Sequence, residues 1–387
     1  MIERILAKKI TALAQKFPVV TLTGPRQSGK TTLVKALFPD LPYVSLEEPD
    51  IRQIALSDPR GFLANFSRGA VLDEVQHTPD LFSYLQSIVD NTSNAQFILS
   101  GSSNFLLPEK ISQTLAGRSA VLHLLPFSLL ELKRGGFTFE GYEDLIFKGQ
   151  YPRIYDRDIA PTDFYPSYIQ TYVERDVRLI KNITDANAFI QFTQLCAGRS
   201  GQLLNYASLA NDAGISPNTA RAWISILEAS YIVYRLHPYH KNFNKRLVKS
   251  PKLYFYDTGL ACSLLGIRSQ EQVNTHFLKG ALFENLIINE FVKRALNRGE
   301  RRYPYFWRDS RGDEIDCLLA ERNTLIPVEI KSGKTAVSSY FKNINYWRRL
   351  GGNAEGYVVY GGDTTLRTKD GLLLSWRDII EDKIFGD

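Results

Sequence analysis

The stretch FPVVTLTGPRQSGKTT, residues 17–32, decides how the N-terminal part of this chain folds. It contains a match to G-x-x-x-x-G-K-[ST], and the apolar run before the match is typical of a buried parallel strand. The two glycines allow the loop to turn successive backbone N–H groups toward a polyphosphate at a helix N-terminus. We therefore predict a nucleotide-binding loop formed by Gly24, Pro25, Arg26, Gln27, Ser28, Gly29, Lys30, Thr31 and Thr32.

This loop predicts two cofactors, ATP and Mg²⁺. Lys30 is expected to reach the β- and γ-phosphates, and Thr31 to place its hydroxyl group on the metal ion. The helix that continues from Thr32 adds a dipole that favours the bound anion. The alternative is a glycine-rich turn with a coincidental lysine, but the strand before the loop and the helix after it favour a nucleotide site.

A second apolar run, GAVLDEVQ at residues 69–76, contains two adjacent carboxylates. Asp73 is expected to hold Mg²⁺ through water, and Glu74 to orient and deprotonate the attacking water. Such a pair alone is a weak signal, but it follows the loop at a distance that leaves room for one strand and one helix. The N-terminal region is therefore predicted to be an α/β ATPase core with a parallel sheet.

Polar residues at the end of the next predicted strand, which begins at Ala95, are alternatives for a γ-phosphate sensor: Ser100, Ser102 or Asn104. A Ser/Gly turn that caps the strand would explain the same residues. Arg118 is a candidate arginine finger or sensor, because a fixed guanidinium offsets charge on the transferred phosphoryl group. An ordinary surface arginine is the alternative for this position.

These motifs resemble the AAA-superfamily ATPases of bacteria and archaea that carry a C-terminal domain of unknown function. Further segments that carry the resemblance are SGSSN at residues 100–104, LAGR at 115–118 and YPSYIQTYVERD at 165–176. The resemblance covers nearly the whole chain, and it implies a helical lid from Gly149 through Ile190. The arginines of this lid that are alternatives for facing the nucleotide are Arg153, Arg175 and Arg178.

The middle of the chain predicts a winged helix. Two helical patterns, residues 203–213 and 216–229, are separated by a short turn, with Ser216 at an N-cap and Pro217 at the first helical position. Two short strand patterns follow, at residues 231–236 and at 252–256. The alternative is a module for packing or oligomerisation.

Exposed polar and basic residues of the middle region indicate a DNA partner. The second helix is expected to expose Asn218, Thr219 and Arg221. The segment 237–252 contains no Asp or Glu, and its basic residues are Lys241, Lys245, Arg246, Lys249 and Lys252. A wing with these residues would contact DNA phosphates.

The C-terminal region predicts a small mixed sheet with helices, in the order α-β-β-β-α-β. Asp316 and Glu329 are thirteen residues apart on adjacent predicted strands, and each interrupts an apolar run. Lys331 follows Glu329 by two residues, on the same face of the strand. Two carboxylates and an ammonium group are therefore expected to converge, with a surface salt-bridge cluster as the alternative.

With Glu284 on the preceding helix, this set resembles the PD-(D/E)XK phosphodiesterases, in particular the EIDxLL…VEIKSG form of Holliday-junction-resolvase-like domains. The resemblance implies that Asp316 and Glu329 ligate Mg²⁺ or Mn²⁺, and that Glu284 supports the metal site. Lys331 would position or activate water and stabilise the developing charge. Ile315 stands where the name of the motif has proline, and a domain that no longer cuts DNA stays an alternative.

A length of 387 residues predicts two or three domains. We place an AAA-type core at residues 1–135, a helical lid and linker at 136–200, a winged-helix region at 201–262 and a nuclease-like domain at 263–387. The three cysteines are far apart and indicate neither a disulfide framework nor a zinc site. No apolar run is long enough to span a membrane, and we expect a cytoplasmic protein.

The net charge of +6 and the pI near 9.0 permit an anionic partner without identifying it. We expect a Mg²⁺-dependent ATPase, and three functions fit that expectation. The chain is an ATP-coupled nuclease acting on DNA, a nucleotide-switched DNA-binding regulator with an inert nuclease-like domain, or a switch that binds another protein, such as a defence or toxin component, and never contacts DNA. The expected partners are ATP, with DNA, another protein or further copies of the chain as alternatives.

Overall fold

The computed structural model of the chain describes residues 2–91, 95–102, 115–177, 183, 185–239, 248–300, 303–321, 324–351 and 355–381. The α-helices are α1 Leu6–Ala14, α2 Lys30–Leu37, α3 Pro49–Ser57, α4 Pro59–Ala64, α5 Leu81–Asn91, α6 Leu129–Arg134, α7 Tyr142–Lys148, α8 Pro152–Asp156, α9 Pro161–Tyr168, α10 Ala186–Ala197, α11 Tyr206–Asp212, α12 Pro217–Ala229, α13 Thr258–Leu264, α14 Gln270–Thr275, α15 Lys279–Asn297 and α16 Lys342–Arg349. The strands are β1 Val19–Thr23, β2 Tyr43–Ser45, β3 Gly69–Asp73, β4 Gln96–Gly101, β5 Ser119–His123, β6 Val233–Leu236, β7 Lys252–Phe255, β8 Tyr305–Arg308, β9 Glu314–Glu321, β10 Thr324–Lys331, β11 Tyr357–Tyr360, β12 Leu366–Thr368 and β13 Gly371–Ser375. A π-helical segment spans Ile169–Val177, and 3₁₀ helices span Val75–His77, Ser338–Phe341 and Asp378–Glu381.

Among the described residues, the N-terminal region forms a parallel sheet with the strand order β2-β3-β4-β1-β5. The strand that precedes the glycine-rich loop, β1, is separated by β4 from β3, which ends at Asp73. Because the strands are parallel, the carboxyl ends of β1, β3 and β4 meet at one edge of the sheet. The predicted α/β core with a parallel sheet is confirmed.

Alternation along β1 places core residues on both faces of this sheet. Val19 packs in one hydrophobic cluster with Phe82 of α5, whereas Val20 packs in another with Leu6 of α1 and Val34 of α2. Both faces of the sheet are therefore covered by helices, and its carboxyl edge is left to carry polar side chains.

The middle region contains α11, α12 and an antiparallel hairpin of β6 and β7. The Ser216 hydroxyl caps α12 by accepting a hydrogen bond from the Thr219 N–H at 3.0 Å, and Pro217 occupies the first turn, as the sequence predicts. Tyr239 N–H donates to the Phe306 carbonyl at 2.7 Å, so the chain after β6 contacts the edge strand β8. The winged-helix assignment and the four domain limits stay predictions.

The C-terminal region forms a mixed sheet of described strands in the order β12-β13-β11-β10-β9-β8. Strand β10 pairs with β9 in antiparallel fashion and with β11 in parallel fashion. Helix, three strands, helix and strand follow in the predicted order, and the sequence interpretation missed β12 and β13. The buried helix α15 enters this region beside β9 and β10 and carries Glu284 in its second turn.

Buried polar contacts join α15 to the N-terminal region. The carboxylate of Glu290 accepts hydrogen bonds from the Leu129 N–H at 2.8 Å and from the Gln150 side-chain amide at 2.7 Å. The Lys293 ammonium donates to the Phe127 carbonyl at 2.9 Å. Glu290 and Lys293 are both buried, so this helix is fixed to the N-terminal region by hydrogen bonds that water does not replace.

Candidate functional site

The glycine-rich loop turns so tightly that two of its residues must be glycine. Gly24 has a φ of +156°, and a Cβ atom there would lie 2.1 Å from the Leu124 carbonyl oxygen. Gly29 is in the left-handed region, with a φ of +92°, directly before α2. The loop therefore wraps around the N-terminus of α2, which is the position that suits a bound phosphate.

Lys30 points into this loop. It is 5% exposed, and its ammonium group donates to the carbonyl oxygens of Gly24 and Pro25 at 2.9 and 2.8 Å. Burial lowers the pKa of Lys30 to about 8, although the nearby carboxylates of Glu74 and Asp73 oppose the change. The buried Ser28 hydroxyl has no hydrogen-bond partner in the described part of the chain. The Lys30 ammonium group therefore faces the inside of the loop, and the loop also contains a buried hydroxyl group that can still form a hydrogen bond.

The other predicted loop residues lie at its surface or beside the lid segment. Gln27 is exposed with a φ of +62°, and Thr32 is exposed in the first turn of α2. The guanidinium of Arg26 lies 5.9 Å from the ring centroid of Tyr172. The predicted lid segment therefore contacts the loop through Tyr172.

Asp73, at the carboxyl end of β3, is surrounded by hydroxyl groups. Its Oδ2 accepts hydrogen bonds from Thr31 at 2.6 Å and from Tyr43 at 2.8 Å, and Oδ1 accepts one from Ser100. Asp73 is 3% exposed and, among the described side chains, no ammonium or guanidinium group forms an ion pair with it. Thr31 and Asp73 thus fit Mg²⁺, which proteins commonly bind through one or two carboxylates together with substrate phosphates.

Glu74 lies beside this aspartate in a left-handed conformation with a φ of +56°. Its Oε2 accepts a hydrogen bond from the Gln76 side-chain amide and lies 3.3 Å from the Ser102 hydroxyl. A non-glycine residue in this conformation is uncommon and often marks a functional position. The sequence interpretation missed Gln76 and Tyr43, which reach the carboxylates through the turn after β3 and through β2.

Two of the three sensor candidates contact the carboxylate pair. Ser100 binds Asp73 and Ser102 approaches Glu74, whereas Asn104 and Arg178 lie outside the described residues.

Arg118 precedes β5, so it lies at the opposite edge of the sheet from the loop that follows β1. Its guanidinium binds Asp90 at 2.9 Å. Arg118 therefore does not approach the loop of its own chain, and its assignment as an arginine finger or sensor stays a prediction.

In the C-terminal region, Asp316, Glu329 and Lys331 converge as predicted from their spacing. Lys331 Nζ lies 3.0 Å from Asp316 Oδ2 and 2.7 Å from Glu329 Oε2. Asp316 Oδ2 also accepts the Ile330 N–H at 2.8 Å across the β9–β10 ladder. Burial, followed by the charge of Asp316, raises the pKa of Glu329 to about 8. Burial alone would lower the pKa of Lys331, but the two carboxylates outweigh it and raise that pKa.

Glu284 faces a second lysine, which the sequence interpretation placed elsewhere. The Lys252 ammonium lies 2.9 Å from Glu284 Oε1 and also pairs with Glu314, and Lys252 is 3% exposed. The Tyr254 hydroxyl donates to the same Glu284 oxygen. The prediction that Lys252 belongs to a phosphate-contacting wing is therefore wrong. Lys241, Lys245 and Arg246 lie outside the described residues.

The C-terminal carboxylates do not fit a divalent metal ion in this arrangement. Lys331 contacts Asp316 and Glu329, and a second ammonium group, that of Lys252, contacts Glu284, so a divalent ion at these carboxylates would lie close to two fixed positive charges. Among the described side chains, no group of three or more His, Cys, Asp or Glu residues is arranged to hold a metal ion. The predicted metal site at Glu284, Asp316 and Glu329 is not found.

Three family models match successive parts of the chain. An AAA domain matches residues 16–133, a domain of unknown function (DUF8612) matches residues 139–271, and a second domain of unknown function (DUF4143) matches residues 279–379. The first match contains the loop and both carboxylates of the N-terminal site, and the third contains Glu284, Asp316, Glu329 and Lys331.

The protein Rv2008c of Mycobacterium tuberculosis, described as uncharacterized, is 30% identical over 338 residues, which cover 86% of this chain and 74% of that protein. The chain belongs to the same family. It is a P-loop ATPase with a C-terminal domain of unknown function. A Mycobacterium bovis protein, Mb2031c, matches with the same figures, and MJ1637 of Methanocaldococcus jannaschii is 22% identical over 419 residues, covering 92% of this chain and 86% of that protein.

Among solved structures, the Walker-type ATPase PABY2304 of Pyrococcus abyssi is similar, with a TM-score of 0.46 and 15% sequence identity. The alignment covers 68% of this chain and 96% of that chain. In the present chain, none of the helices among the described residues has the length and apolar composition needed to cross a membrane.

Proposed function

We propose that this ATPase is a nucleotide-driven switch in which hydrolysis at the glycine-rich loop changes the contacts between the N-terminal region and the C-terminal domain. The observation that carries the proposal is the convergence of Lys30, Thr31, Asp73 and Glu74 at one edge of the parallel sheet. Lys30 binds the phosphates and stabilises their negative charge, and Glu74 is the base for the attacking water. Thr31 and Asp73 would hold Mg²⁺, which would supply further stabilisation of that charge.

Two variants test the hydrolytic role. We expect Lys30→Ala to lose nucleotide binding, because the loop loses its ammonium group. We expect Glu74→Gln to bind ATP normally and to hydrolyse it roughly 100- to 10,000-fold more slowly, the usual contribution of a general base. Binding of a fluorescent ATP analogue and phosphate release are the two measurements. Full ATPase activity in both variants would overturn the proposal.

A continuous set of buried contacts supports the switch. Arg4 donates to the carbonyl oxygen of Ser28 in the loop at 2.7 Å, and it binds Glu131 at 3.0 Å. The Ser128 N–H donates to the same glutamate at 2.8 Å, and the neighbouring residues 127 and 129 are held by Lys293 and Glu290 of α15. A change in the loop therefore has a physical route to the C-terminal domain, and coupling has to be measured to establish it.

Hydrogen exchange of the backbone amides of α15 measures this coupling. We expect ATP to change the exchange of residues 279–297 in Glu74→Gln, which holds the nucleotide without consuming it. Lys293→Met removes the contact with the Phe127 carbonyl and should abolish the change. Lys279→Met, which removes a lysine from the same helix, should leave it intact. Exchange in α15 that is unaffected by ATP would contradict the switch.

A second candidate function is DNA binding by the middle region. The observation that favours it is that α12 exposes Asn218 and Arg221 while its opposite face is buried. We expect duplex binding that weakens steeply with salt, and an Arg221→Ala variant that binds less tightly with a shallower salt dependence. No affinity for DNA at low salt would favour a protein partner instead.

We also propose that the C-terminal domain has a PD-(D/E)XK-like arrangement that binds a partner and does not cut DNA. Its support is that all three carboxylates already contact an ammonium group: Asp316 and Glu329 contact Lys331, and Glu284 contacts the additional Lys252. We expect no cleavage of single-stranded, duplex or branched DNA with Mg²⁺ or Mn²⁺, with or without ATP. Cutting that disappears in both Lys331→Ala and Asp316→Ala would show the opposite.

A further inference from the structure

We propose that Lys252 is a built-in counter-cation of the C-terminal carboxylate cluster, paired with Glu284 and Glu314, so that this cluster takes no divalent ion while Lys252 is in place. The inference gives a physical reason for the proposal that the domain does not cut DNA. It rests on that proposal for its consequence in function, whereas the absence of metal binding is measured independently. Its test measures metal binding, so it can fail while the ATPase assignment stands.

The first argument is the position of the lysine. Lys252 begins β7, far from the C-terminal sheet in sequence, yet its ammonium group lies between Glu284 of α15 and Glu314 of β9. It is 3% exposed, whereas Lys331 has a side chain that is 33% exposed. Lys252 is therefore an interior group, and a lysine is almost never fully buried unless it is paired.

The second argument is that the carboxylate oxygens around Lys252 are already used. Glu284 Oε1 accepts hydrogen bonds from both Lys252 and Tyr254. Glu314 pairs with Lys252 through one oxygen and with Arg308 through the other, at 3.1 Å. A divalent ion bound to these oxygens would have to displace the ammonium group of Lys252 or lie next to it. Two positive charges in contact with the same carboxylate repel each other strongly.

The third argument concerns the two strand residues. Asp316 Oδ2 is held by the Ile330 N–H and by Lys331, and Glu329 is held by Lys331 and lies 3.4 Å from the Asn343 amide. Lys331 by itself is compatible with a metal site, because the motif that this region resembles includes a lysine. The additional cation is Lys252, and it distinguishes this cluster from a site with an open position for a metal ion.

The test is Mn²⁺ binding to the full chain, measured by isothermal titration calorimetry with Asp73→Asn present throughout to weaken the nucleotide site. We expect the Asp73→Asn chain to bind no Mn²⁺ at the C-terminal cluster at millimolar concentration. Lys252→Met keeps an unbranched side chain of similar length and removes the charge. We expect it to gain one bound Mn²⁺, and Asp316→Asn added to it to remove that ion. The matched control is Lys279→Met, which removes a lysine paired with Glu143 and should gain nothing.

Two results would overturn the inference. One is a bound Mn²⁺ in the Asp73→Asn chain, with Lys252 in place, that Asp316→Asn abolishes. The other is a folded Lys252→Met chain that binds no Mn²⁺. If Lys252→Met does not fold, the double variant Lys252→Met/Glu284→Gln replaces both charges of the pair and is expected to fold and to bind Mn²⁺ through Asp316 and Glu329. Absence of Mn²⁺ binding in that folded variant would also overturn the inference.

Discussion

The nucleotide site and the C-terminal cluster are both built on aspartates from buried strands, and they differ in the charge of their neighbours. Asp73 accepts hydrogen bonds from three hydroxyl groups and, among the described side chains, forms no ion pair with an ammonium or guanidinium group. Asp316 lies against the Lys331 ammonium group, and Glu284 beside it lies against Lys252. A buried carboxylate that is paired with a fixed cation is less available to a metal ion, so the neighbours of these carboxylates favour metal binding at the nucleotide site and oppose it at the C-terminal cluster.

Replacing Asp73 or Asp316 by asparagine should give the largest difference between the two sites, measured as the rate of ATP hydrolysis. Asp73→Asn should lower the rate of ATP hydrolysis by about a hundredfold or more, because the metal loses its carboxylate partner and several kcal/mol of charge stabilisation. Asp316→Asn should leave the rate within about twofold, since it lies in the other cluster. Steady-state phosphate release at saturating ATP is the measurement. Equal losses in the two variants would show that the sites are not separate.

Replacing Lys252 or Lys279 by methionine tests how strongly the C-terminal carboxylates depend on their buried cation. Lys252→Met should lower the free energy of unfolding by about 3–5 kcal/mol, because it leaves buried carboxylates without their partner. Lys279→Met breaks a more exposed pair and should cost about 1 kcal/mol or less. Thermal and urea unfolding followed by circular dichroism measure both. Equal small losses would mean that Lys252 is not the main counter-charge of Glu284.

The hydroxyl groups around Asp73 should have a smaller effect than its carboxylate. Tyr43→Phe removes one hydrogen bond but keeps the ring that lies 3.6 Å from the Lys35 ammonium. We expect kcat to fall roughly tenfold with little change in KM, because the bond orients the carboxylate and does not contact ATP. Tyr84→Phe on α5 is the control and should be neutral. An unchanged kcat in Tyr43→Phe would show that the other two hydroxyl groups suffice.

The residues that the sequence assigns to the nucleotide site converge in the structure, and they could be found because they belong to local patterns. The loop from Gly24 to Thr31 is a continuous motif, and Asp73 and Glu74 end an apolar run, so spacing alone identifies them. Tyr43 and Gln76 were missed because hydroxyl and amide side chains near strand ends are common and carry no motif. The parallel sheet then brings β2 beside β3, which no local pattern reveals.

The C-terminal cluster was predicted only in part, for a different reason. The spacing of Asp316, Glu329 and Lys331 follows from strand pairing and alternation, and the structure brings these three together. Lys252 and Glu314 contact each other across 62 residues of sequence, and a basic segment without Asp or Glu favoured an exposed wing instead. Long-range ion pairs of this kind depend on the packing of β7 against α15, which the sequence pattern does not encode locally.

The Arg118→Ala variant tests whether the nucleotide site is complete within one chain. We expect it to change the ATPase rate less than Asp73→Asn or Tyr43→Phe does. It precedes β5, and five residues of parallel strand span roughly 16 Å, so its guanidinium is far from the loop of its own chain. We expect Arg118→Ala to keep ATPase activity within about twofold of the native chain, as surface substitutions usually do. Asp90→Asn, which removes the partner of Arg118, should be equally neutral. A large loss in Arg118→Ala, with activity restored by mixing it with Glu74→Gln chains, would show instead that this arginine acts on the nucleotide of a neighbouring copy.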